Sequence, residues 1–239
     1  MASLPSPYAQ ALLDSWQGDP DATYLVLRDD GWSQPVPAAS AFAEPPFNPL
    51  EELALDQARG KTLDVGAGVG RHSLDLQERN IEVTALELEP ALVHVMTQRG
   101  VTTPLAGNLF SLTGQRFDTV LMLMNGFGLV GSLEGAERFF TQARQLLLPG
   151  GQIFCDSLDV RGTTNPTHLA YQESNLRQGL PAGQMRFQIE YQTRRGAPFD
   201  WLHLEFLALQ SLAQHHHWSA ELLAKEENGH YLARLTDVS

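Results

Sequence analysis

The amino-acid sequence predicts an α/β fold, in which a doubly wound, mostly parallel seven-stranded sheet carries helices on both faces. Two patterns predict it. Between residues 62 and 158, short apolar runs alternate with longer amphipathic stretches, as in successive βαβ units. Near the end of the chain, two strand-like runs flank Asn228-Gly229, a strong signal for a tight hairpin turn. A chain of 239 residues is long enough for one domain with its own core.

Residues 1–50 differ from the rest and form an N-terminal extension. Residues 8–16 favour a short amphipathic helix, and the strand-like run 23–27 leads into the turn Asp29-Asp30-Gly31. A stretch rich in proline and alanine follows, but the extension carries too many apolar residues for a flexible tail. Asn48 is placed to cap a helix that runs through Ala58.

The central part alternates strand and helix, which predicts parallel strands joined by right-handed crossovers. Proline in the first turn and Gly100 just past the last residue bound one of the helices. The predicted strands cover 62–65, 81–86, 101–106, 119–124 and 152–156, and the predicted helices cover 71–79, 90–99 and 133–148.

Residues 159–204 break this rhythm. Met185, Phe187, Ile189 and Tyr191 alternate strictly with polar residues, which indicates a strand with one buried face. The turn at 195–198 reverses the chain, so we predict a two-stranded antiparallel insertion after strand five. A helix over 207–216 and strands over 220–226 and 231–238 complete the chain.

The run 62–71, TLDVGAGVGR, ends a buried strand in a glycine-rich turn and then opens a helix. Glycines at alternate positions leave the backbone accessible to a ligand, and the N-terminus of the helix offers N–H groups to an anionic group. The next strand ends on Glu87. A glycine turn followed by an acid at the end of the next strand predicts a site for a cofactor that contains a nucleoside.

The glycine spacing indicates which cofactor. The dinucleotide fingerprint needs a glycine where this chain has Arg71. The pattern Asp-x-Gly-x-Gly-x-Gly instead resembles the first motif of the class I (Rossmann-like) S-adenosylmethionine-dependent methyltransferases. Four further landmarks resemble that family in order, at residues 86–88, 107–109, 117–120 and 148–151. The resemblance covers about residues 60–158 well and the C-terminal third only in outline.

The resemblance implies S-adenosylmethionine as the cofactor and assigns roles around it. Asp64 would accept from the amino group of the methionine part, Glu87 from both ribose hydroxyls, and Leu88 would cover the adenine. Asn108 stands where related enzymes usually carry an aspartate, and Arg71 either pairs with the cofactor carboxylate or lies on the surface. The full set of predicted cofactor-binding residues is Asp64, Gly66, Ala67, Gly68, Gly70, Arg71, Glu87, Leu88, Asn108, Leu109 and Met124.

The acceptor side is less defined, and the catalytic residues remain unknown. Residues 124–128, at the end of the fourth strand, lack the prolines of the families that methylate amide or adenine nitrogen. The catalytic candidates are Asn125, Tyr171 and His203. His168 and Trp201 in or near the insertion, and Asp156 after strand five, are further candidates for the acceptor pocket. We expect residues 1–50 to pack over the cofactor side of a methyltransferase domain, 51–239, in which 159–204 is a candidate substrate lid.

Composition excludes several classes of partner. A net charge of −12 argues against nucleic acid as a substrate. The single cysteine, Cys155, excludes an internal disulfide and is typical of a buried small residue in a reducing compartment. Three consecutive histidines, 215–217, cannot converge on one ion from a single helix, so we predict no metal site. The chain has no basic leader and no apolar run of membrane-spanning length, so we expect a cytoplasmic protein without a membrane partner. The oligomeric state stays unknown.

The sequence therefore predicts an enzyme that transfers a methyl group from S-adenosylmethionine to a small-molecule acceptor. The acceptor atom and the need for a general base stay open. One alternative is a non-catalytic, regulatory protein that binds S-adenosylmethionine. Others are a transferase that uses the decarboxylated cofactor and an NAD(P)-dependent oxidoreductase, against which the position of Arg71 speaks.

Overall fold

The computed structural model describes residues 4–239. Short 3₁₀ helices lie at Ala38–Phe42, Leu109–Ser111, Gly126–Val130 and Val160–Gly162. The chain runs through α1 (Pro7–Trp16), β1 (Thr23–Arg28), β2 (Ser33–Pro37), α2 (Pro49–Gln57), β3 (Thr62–Val65), α3 (Arg71–Glu78), β4 (Val83–Glu87), α4 (Pro90–Arg99), β5 (Pro104–Ala106), β6 (Phe117–Met122), α5 (Leu133–Leu146), β7 (Leu147–Leu158), α6 (Pro166–Arg177), β8 (Gln184–Tyr191), β9 (Arg194–Arg195), β10 (Phe199–Leu202), α7 (Phe206–His215), β11 (Trp218–Lys225) and β12 (His230–Asp237).

The main sheet has seven strands in the order β11-β12-β7-β6-β3-β4-β5. The strands from β5 to β7 pair in parallel, whereas β11 and β12 form the terminal antiparallel hairpin. Every residue of β3 and β4 is buried, as expected for central strands that helices cover on both faces. The predicted fold class is confirmed. The strand order reverses at β3, and in such sheets ligands bind beside that point at the carboxyl ends of the strands.

Local signals fix several element ends. The Asn48 side chain accepts from the N–H groups of Leu50 and Glu51 at the start of α2. The α4 helix ends at Gly100, whose φ of 97° is left-handed. Strand β7 is longer than predicted, because it already begins at Leu147 and continues through the Pro-Gly-Gly run.

A second, antiparallel sheet has the order β10-β8-β1-β2, with β9 paired to β8. Its central pairing, Val26 with Ile189, joins the N-terminal extension to the insertion. The predicted two-stranded insertion is therefore wrong: the segment contains a helix and three strands and shares a sheet with residues 1–50. An isolated hairpin is marginal in water, and pairing with β1 gives β8 a neighbour on its open edge.

No helix within residues 4–239 is long and apolar enough to cross a membrane.

Candidate cofactor and acceptor site

The glycine loop 66–70 lies at the carboxyl end of β3. All three glycines have left-handed φ values, of 69°, 57° and 82°. Gly68 faces open space: a Cβ there would have a single neighbour within 4 Å, the Tyr8 hydroxyl at 3.8 Å. At Gly66 the nearest atom is Cδ1 of Leu129, at 3.0 Å. The loop is thus a cradle that a ligand can approach at Gly68.

Gly70 has a packing role. A Cβ at this position would lie 2.7 Å from Val101 Cγ2 and 3.1 Å from Met96 Cγ. Gly70 therefore lets the start of α3 approach α4 and the segment before β5. In the dinucleotide fingerprint, the glycine for close helix packing stands one position later, where this chain has Arg71.

Glu87 ties the loop to the next strand end. Its two carboxylate oxygens accept from the backbone N–H groups of Gly68, at 2.8 Å, and Glu89, at 3.0 Å. The side chain is buried. Burial raises the pKa of Glu87, although hydrogen bonds from backbone N–H groups act to lower it. A buried carboxylate beside an open backbone cradle can accept from vicinal hydroxyls, as a ribose requires.

Asp64 lies at the end of β3, and the Ser73 hydroxyl donates to it at 2.6 Å. Asp64 is 2 % exposed, and this burial raises the pKa of its carboxyl group. The bond holds the first turns of α3 against the strand, so Asp64 at least fixes the loop geometry.

Arg71 and His72 both contact Glu51, a buried residue of α2. Arg71 forms an ion pair with Glu51 and stacks over the Phe47 ring, with its guanidinium carbon 4.6 Å from the centroid. His72 Nε2 lies 3.6 Å from a Glu51 oxygen. Burial works to raise the pKa of Glu51, but His72 and Arg71 outweigh it, so the pKa lies below its ordinary value. The structure thus gives Arg71 an intramolecular partner, and its contact with a cofactor stays a prediction.

Sequence reasoning missed Tyr8. This residue of α1 packs edge-on against Tyr24 of β1, with ring centroids 5.5 Å apart. Burial raises its pKa, and Tyr24 and the carboxylates Glu87 and Glu89 raise it further. The Tyr8 hydroxyl therefore lies over the glycine loop, close to Glu87. The sequence signals a helix at this position but nothing that would bring its first turn to Gly68.

The predicted adenine side is formed by residues after β4 and β5. Leu88 is 65 % exposed, so its side chain is free to cover a ring. The Asn108 side chain accepts from the N–H of Phe110 at 2.8 Å and caps the short helix that follows. Leu109 is buried in the main core beneath it.

The predicted acceptor side lies after β6. Met124 and Asn125 both have left-handed φ values, 64° and 61°, which are strained for residues with side chains. Asp156 holds this loop, because its two oxygens accept from the N–H groups of Asn125 and Gly126, each at 3.0 Å. Burial raises the pKa of Asp156. The Asn125 Oδ1 atom is buried without a partner, and Met124 is 49 % exposed.

Two candidates from the insertion lie close to this loop or to its supporting strand. Trp201 packs on Gly128, where an added Cβ would lie 1.9 Å from the indole Nε1. His203 Nδ1 is buried without a partner, and burial, with His230 nearby, lowers the pKa of His203 to about 4. His203 is thus a neutral imidazole at physiological pH.

Tyr171 and His168 belong to another cluster, around the buried Arg28. The Tyr171 hydroxyl donates to Asp29 at 2.7 Å, and the Arg28 guanidinium lies 4.1 Å from the Tyr171 ring centroid. Burial and the bond with Asp29 raise the pKa of Tyr171 to about 12. His168 Nδ1 lies 3.1 Å from Arg28 Nη1. These contacts give Tyr171 and His168 a structural role, in which they attach α6 to the second sheet.

Two further predictions concern cysteine and metal. Cys155 is fully buried in β7, as predicted, and burial raises its pKa. Within residues 4–239, no group of three His, Cys, Asp or Glu side chains is arranged to hold a metal ion. His216 instead stacks on Phe140, with ring centroids 5.3 Å apart.

Comparisons with known proteins agree with this geometry. A family model described as "Methyltransferase domain" matches residues 63–155. The structure of a SAM-dependent methyltransferase from Bacteroides fragilis, in complex with S-adenosyl-L-homocysteine, is 35% identical and has a TM-score of 0.87. The match covers 100% of this chain and 98% of that one.

More distant structures share the fold. The CcbJ methyltransferase from Streptomyces caelestis is 15% identical, with a TM-score of 0.64 and coverage of 98% of this chain and 99% of that one. The glycopeptide N-methyltransferase MtfA, complexed with S-adenosyl-L-methionine, is also 15% identical; its TM-score is 0.53, over 79% of this chain and 92% of that one. No curated protein sequence matches the chain significantly.

Proposed function

The chain belongs to the S-adenosylmethionine-dependent methyltransferases, and from this premise we propose that its methyl acceptor is a small molecule. The family membership makes S-adenosylmethionine the cofactor and methyl transfer the reaction. The proposal concerns the acceptor and the residues that hold the two substrates.

The observation that most supports a small acceptor is that the second sheet covers the carboxyl edge of the main sheet. At one end, Tyr24 of the second sheet packs on Tyr8, which lies over Gly68. At the other end, Trp201 packs on Gly128 after β6. An acceptor that reaches the methyl group must therefore fit beneath this sheet, and a net charge of −12 disfavours a polyanionic polymer there.

The cradle at Gly68 and the buried carboxylate of Glu87 fit the backbone approach and the ribose of S-adenosylmethionine. In our proposal Glu87 accepts from the ribose hydroxyls, Asp64 carries the methionine amino group directly or through water, and Leu88, Asn108 and Leu109 hold the adenine. The remaining predicted contacts, to be tested with them, are Gly66, Ala67, Gly70, Arg71 and Met124.

The cofactor supplies an already activated methyl group, so this chain need not generate a reactive group. Its task is to hold an acceptor nucleophile in line and to exclude water. The strained Asn125, with Oδ1 buried and unpartnered, is placed to accept a hydrogen bond from the acceptor. Asp156 fixes that loop through two backbone N–H groups. A general base is required only where the acceptor must lose a proton before attack, and His203 is the neutral candidate for it.

The test is transfer of an isotope-labelled methyl group from S-adenosylmethionine into a cell extract separated into small molecules, proteins and nucleic acids. We expect the label in the small-molecule fraction. The Asp156→Asn variant should lose this labelling, whereas Glu221→Gln, on the exposed hairpin, should keep it. Label that enters only the protein or nucleic-acid fraction would overturn the small-molecule proposal and leave the family assignment intact.

A further inference from the structure

The second sheet turns one face toward the cofactor edge. Side chains of an antiparallel sheet alternate between faces, and directly paired residues share a face. The pairings Val26 with Ile189, Phe187 with Phe199, and Met185 with Trp201 therefore define one side. We call this side the inner face; its apolar and aromatic residues in β1, β8 and β10 are Tyr24, Val26, Met185, Phe187, Ile189, Tyr191, Phe199 and Trp201.

Both ends of the inner face are closed. Tyr191 is 5% exposed, and its hydroxyl donates to Asp14 of α1 at 2.8 Å. At the other end, Met185 is 6% exposed, beside the Trp201 that packs on Gly128. These contacts attach the inner face to the glycine-loop side through α1 and to the β6 side through Trp201.

The middle of the inner face is open. Val26, Phe187 and Ile189 are only half-buried, and Phe199 is 36 % exposed. The strict alternation in β8 indicates a fully buried apolar face, yet only its two ends are buried. The distance from Met185 to Tyr191 along the strand is about 20 Å at ~3.3 Å per residue, so the open part between them has the length of a small molecule.

The open part is apolar and aromatic. The Phe187 and Phe199 ring centroids lie 6.2 Å apart, and those of Phe199 and Trp201 lie 6.3 Å apart at an interplanar angle of 76°. Two charged side chains lie on this side. Arg28 is paired with Asp30. Arg194, which pairs with Tyr191 at the closed end, donates to the Pro5 carbonyl at 2.7 Å. The open middle therefore presents tilted rings without a free charge, which favours a flat, uncharged partner.

We propose that the methyl acceptor carries a planar, uncharged ring system, which binds against Val26, Phe187, Ile189 and Phe199 and presents its nucleophilic atom near Asn125. The assignment rests on the proposed function. It extends that proposal because the open apolar surface is continuous with the proposed acceptor side through Trp201 and Gly128. The ring system is the acceptor's binding portion, and its hydroxyl or amino group is the nucleophile. On transfer, the bond from sulfur to methyl carbon breaks, the new bond from carbon to the acceptor atom forms, and the acceptor's proton leaves to solvent or to a base.

The test compares two acceptor panels in the labelled-methyl assay. One contains bicyclic phenols and aromatic amines, such as naphthols and aminoquinolines; the other contains aliphatic alcohols and amines of equal size. We expect transfer to members of the planar panel only. The variants Phe187→Ala and Phe187→Leu should raise KM for a planar acceptor at least tenfold, with unchanged affinity for S-adenosylhomocysteine. Arg186→Gln, on the opposite face of the same strand, is the matched control and should leave KM unchanged.

Three results would overturn the assignment. The first is equal transfer to both panels, and the second is unchanged KM in both folded Phe187 variants. The third is a dimer in sedimentation that Phe199→Ser abolishes, because the inner face would then bind a second copy. Transfer into macromolecules alone would instead refute the underlying small-molecule proposal, which keeps the two failures distinct.

Discussion

Replacing Glu87 by glutamine tests the cofactor site most directly. Both oxygens of the carboxylate accept from backbone N–H groups, those of Gly68 and Glu89. A glutamine of the same shape has one oxygen and one NH₂ group, so its NH₂ group must face one of these two backbone N–H groups. The substitution therefore removes one charge-assisted hydrogen bond, weakens the other and leaves a backbone N–H without a partner.

The effect on binding follows from the proposed ribose contact. A hydrogen bond to a charged group contributes about 1.5–3 kcal/mol, so loss of the Glu87 charge should lower the affinity for S-adenosylhomocysteine by about 10- to 100-fold. The effect on folding should be smaller. Burial raises the pKa of Glu87, so removing its charge also relieves a desolvation cost. We expect the free energy of unfolding to fall by about 1 kcal/mol, or roughly 2–4 °C in Tm.

Isothermal titration calorimetry with S-adenosylhomocysteine measures the affinity, and thermal unfolding without ligand measures the stability. Glu82→Gln is the control, because Glu82 is an exposed residue near the start of the same strand. Unchanged affinity in a folded Glu87→Gln variant would refute the ribose assignment. A loss of stability as large as the loss of binding energy would show that Glu87 acts mainly on folding.

Three further predictions concern the loop, the acceptor side and pH. Gly70→Ala places a Cβ 2.7 Å from Val101 and should lower Tm more than Gly68→Ala does. Gly68→Ala should mainly weaken cofactor binding. Calorimetry and thermal melts on both variants check this, and equal changes in affinity and Tm for the two variants would contradict it. Asp156→Asn should lower kcat at least tenfold and leave cofactor affinity within about twofold of wild type, because the Asp156 carboxylate holds the proposed acceptor loop. A selective loss of cofactor affinity in the same assays would count against this role of Asp156. The folded pKa of His203, about 4, lies below the ordinary 6.5, so the unfolded chain takes up a proton first and stability should fall as pH drops from 6.5 to 4. His203→Gln should remove up to about 1.4 kcal/mol per pH unit of that slope in denaturant titrations, and an identical slope in both proteins would argue against a buried neutral His203.

The part of the fold that local chemistry encodes could be predicted from the sequence. Helix α4 begins and ends where its proline and Gly100 indicate. Helix α6 could not be predicted, because its buried residues are Gln172 and Asn175, so it has no apolar stripe to detect. The hydrophobic period reports a helix only when that helix packs on an apolar core.

The second sheet lies beyond local reasoning for another reason. Alternation in the sequence shows that β1 and β8 are strands, but it does not say which strand pairs with which. Val26 pairs with Ile189 although most of the chain separates them in sequence. The placement of Tyr8 over Gly68 depends on the same long-range packing, and so does the packing of Gly70 on Val101. Cofactor-binding residues could be proposed from the sequence because they follow consecutive strands of one parallel sheet, and they stay a prediction.

The pairing of β1 with β8 also bears on how the protein is made and altered. During synthesis the hairpin of β1 and β2 emerges long before β8. The free edge of β1 therefore stays unpaired until almost four-fifths of the chain has left the ribosome. A chain trimmed to begin at the glycine motif would keep the cofactor cradle but expose the bare edge of β8. We expect such a protein to aggregate, because an unpaired strand rich in aromatic residues is a template for intermolecular pairing.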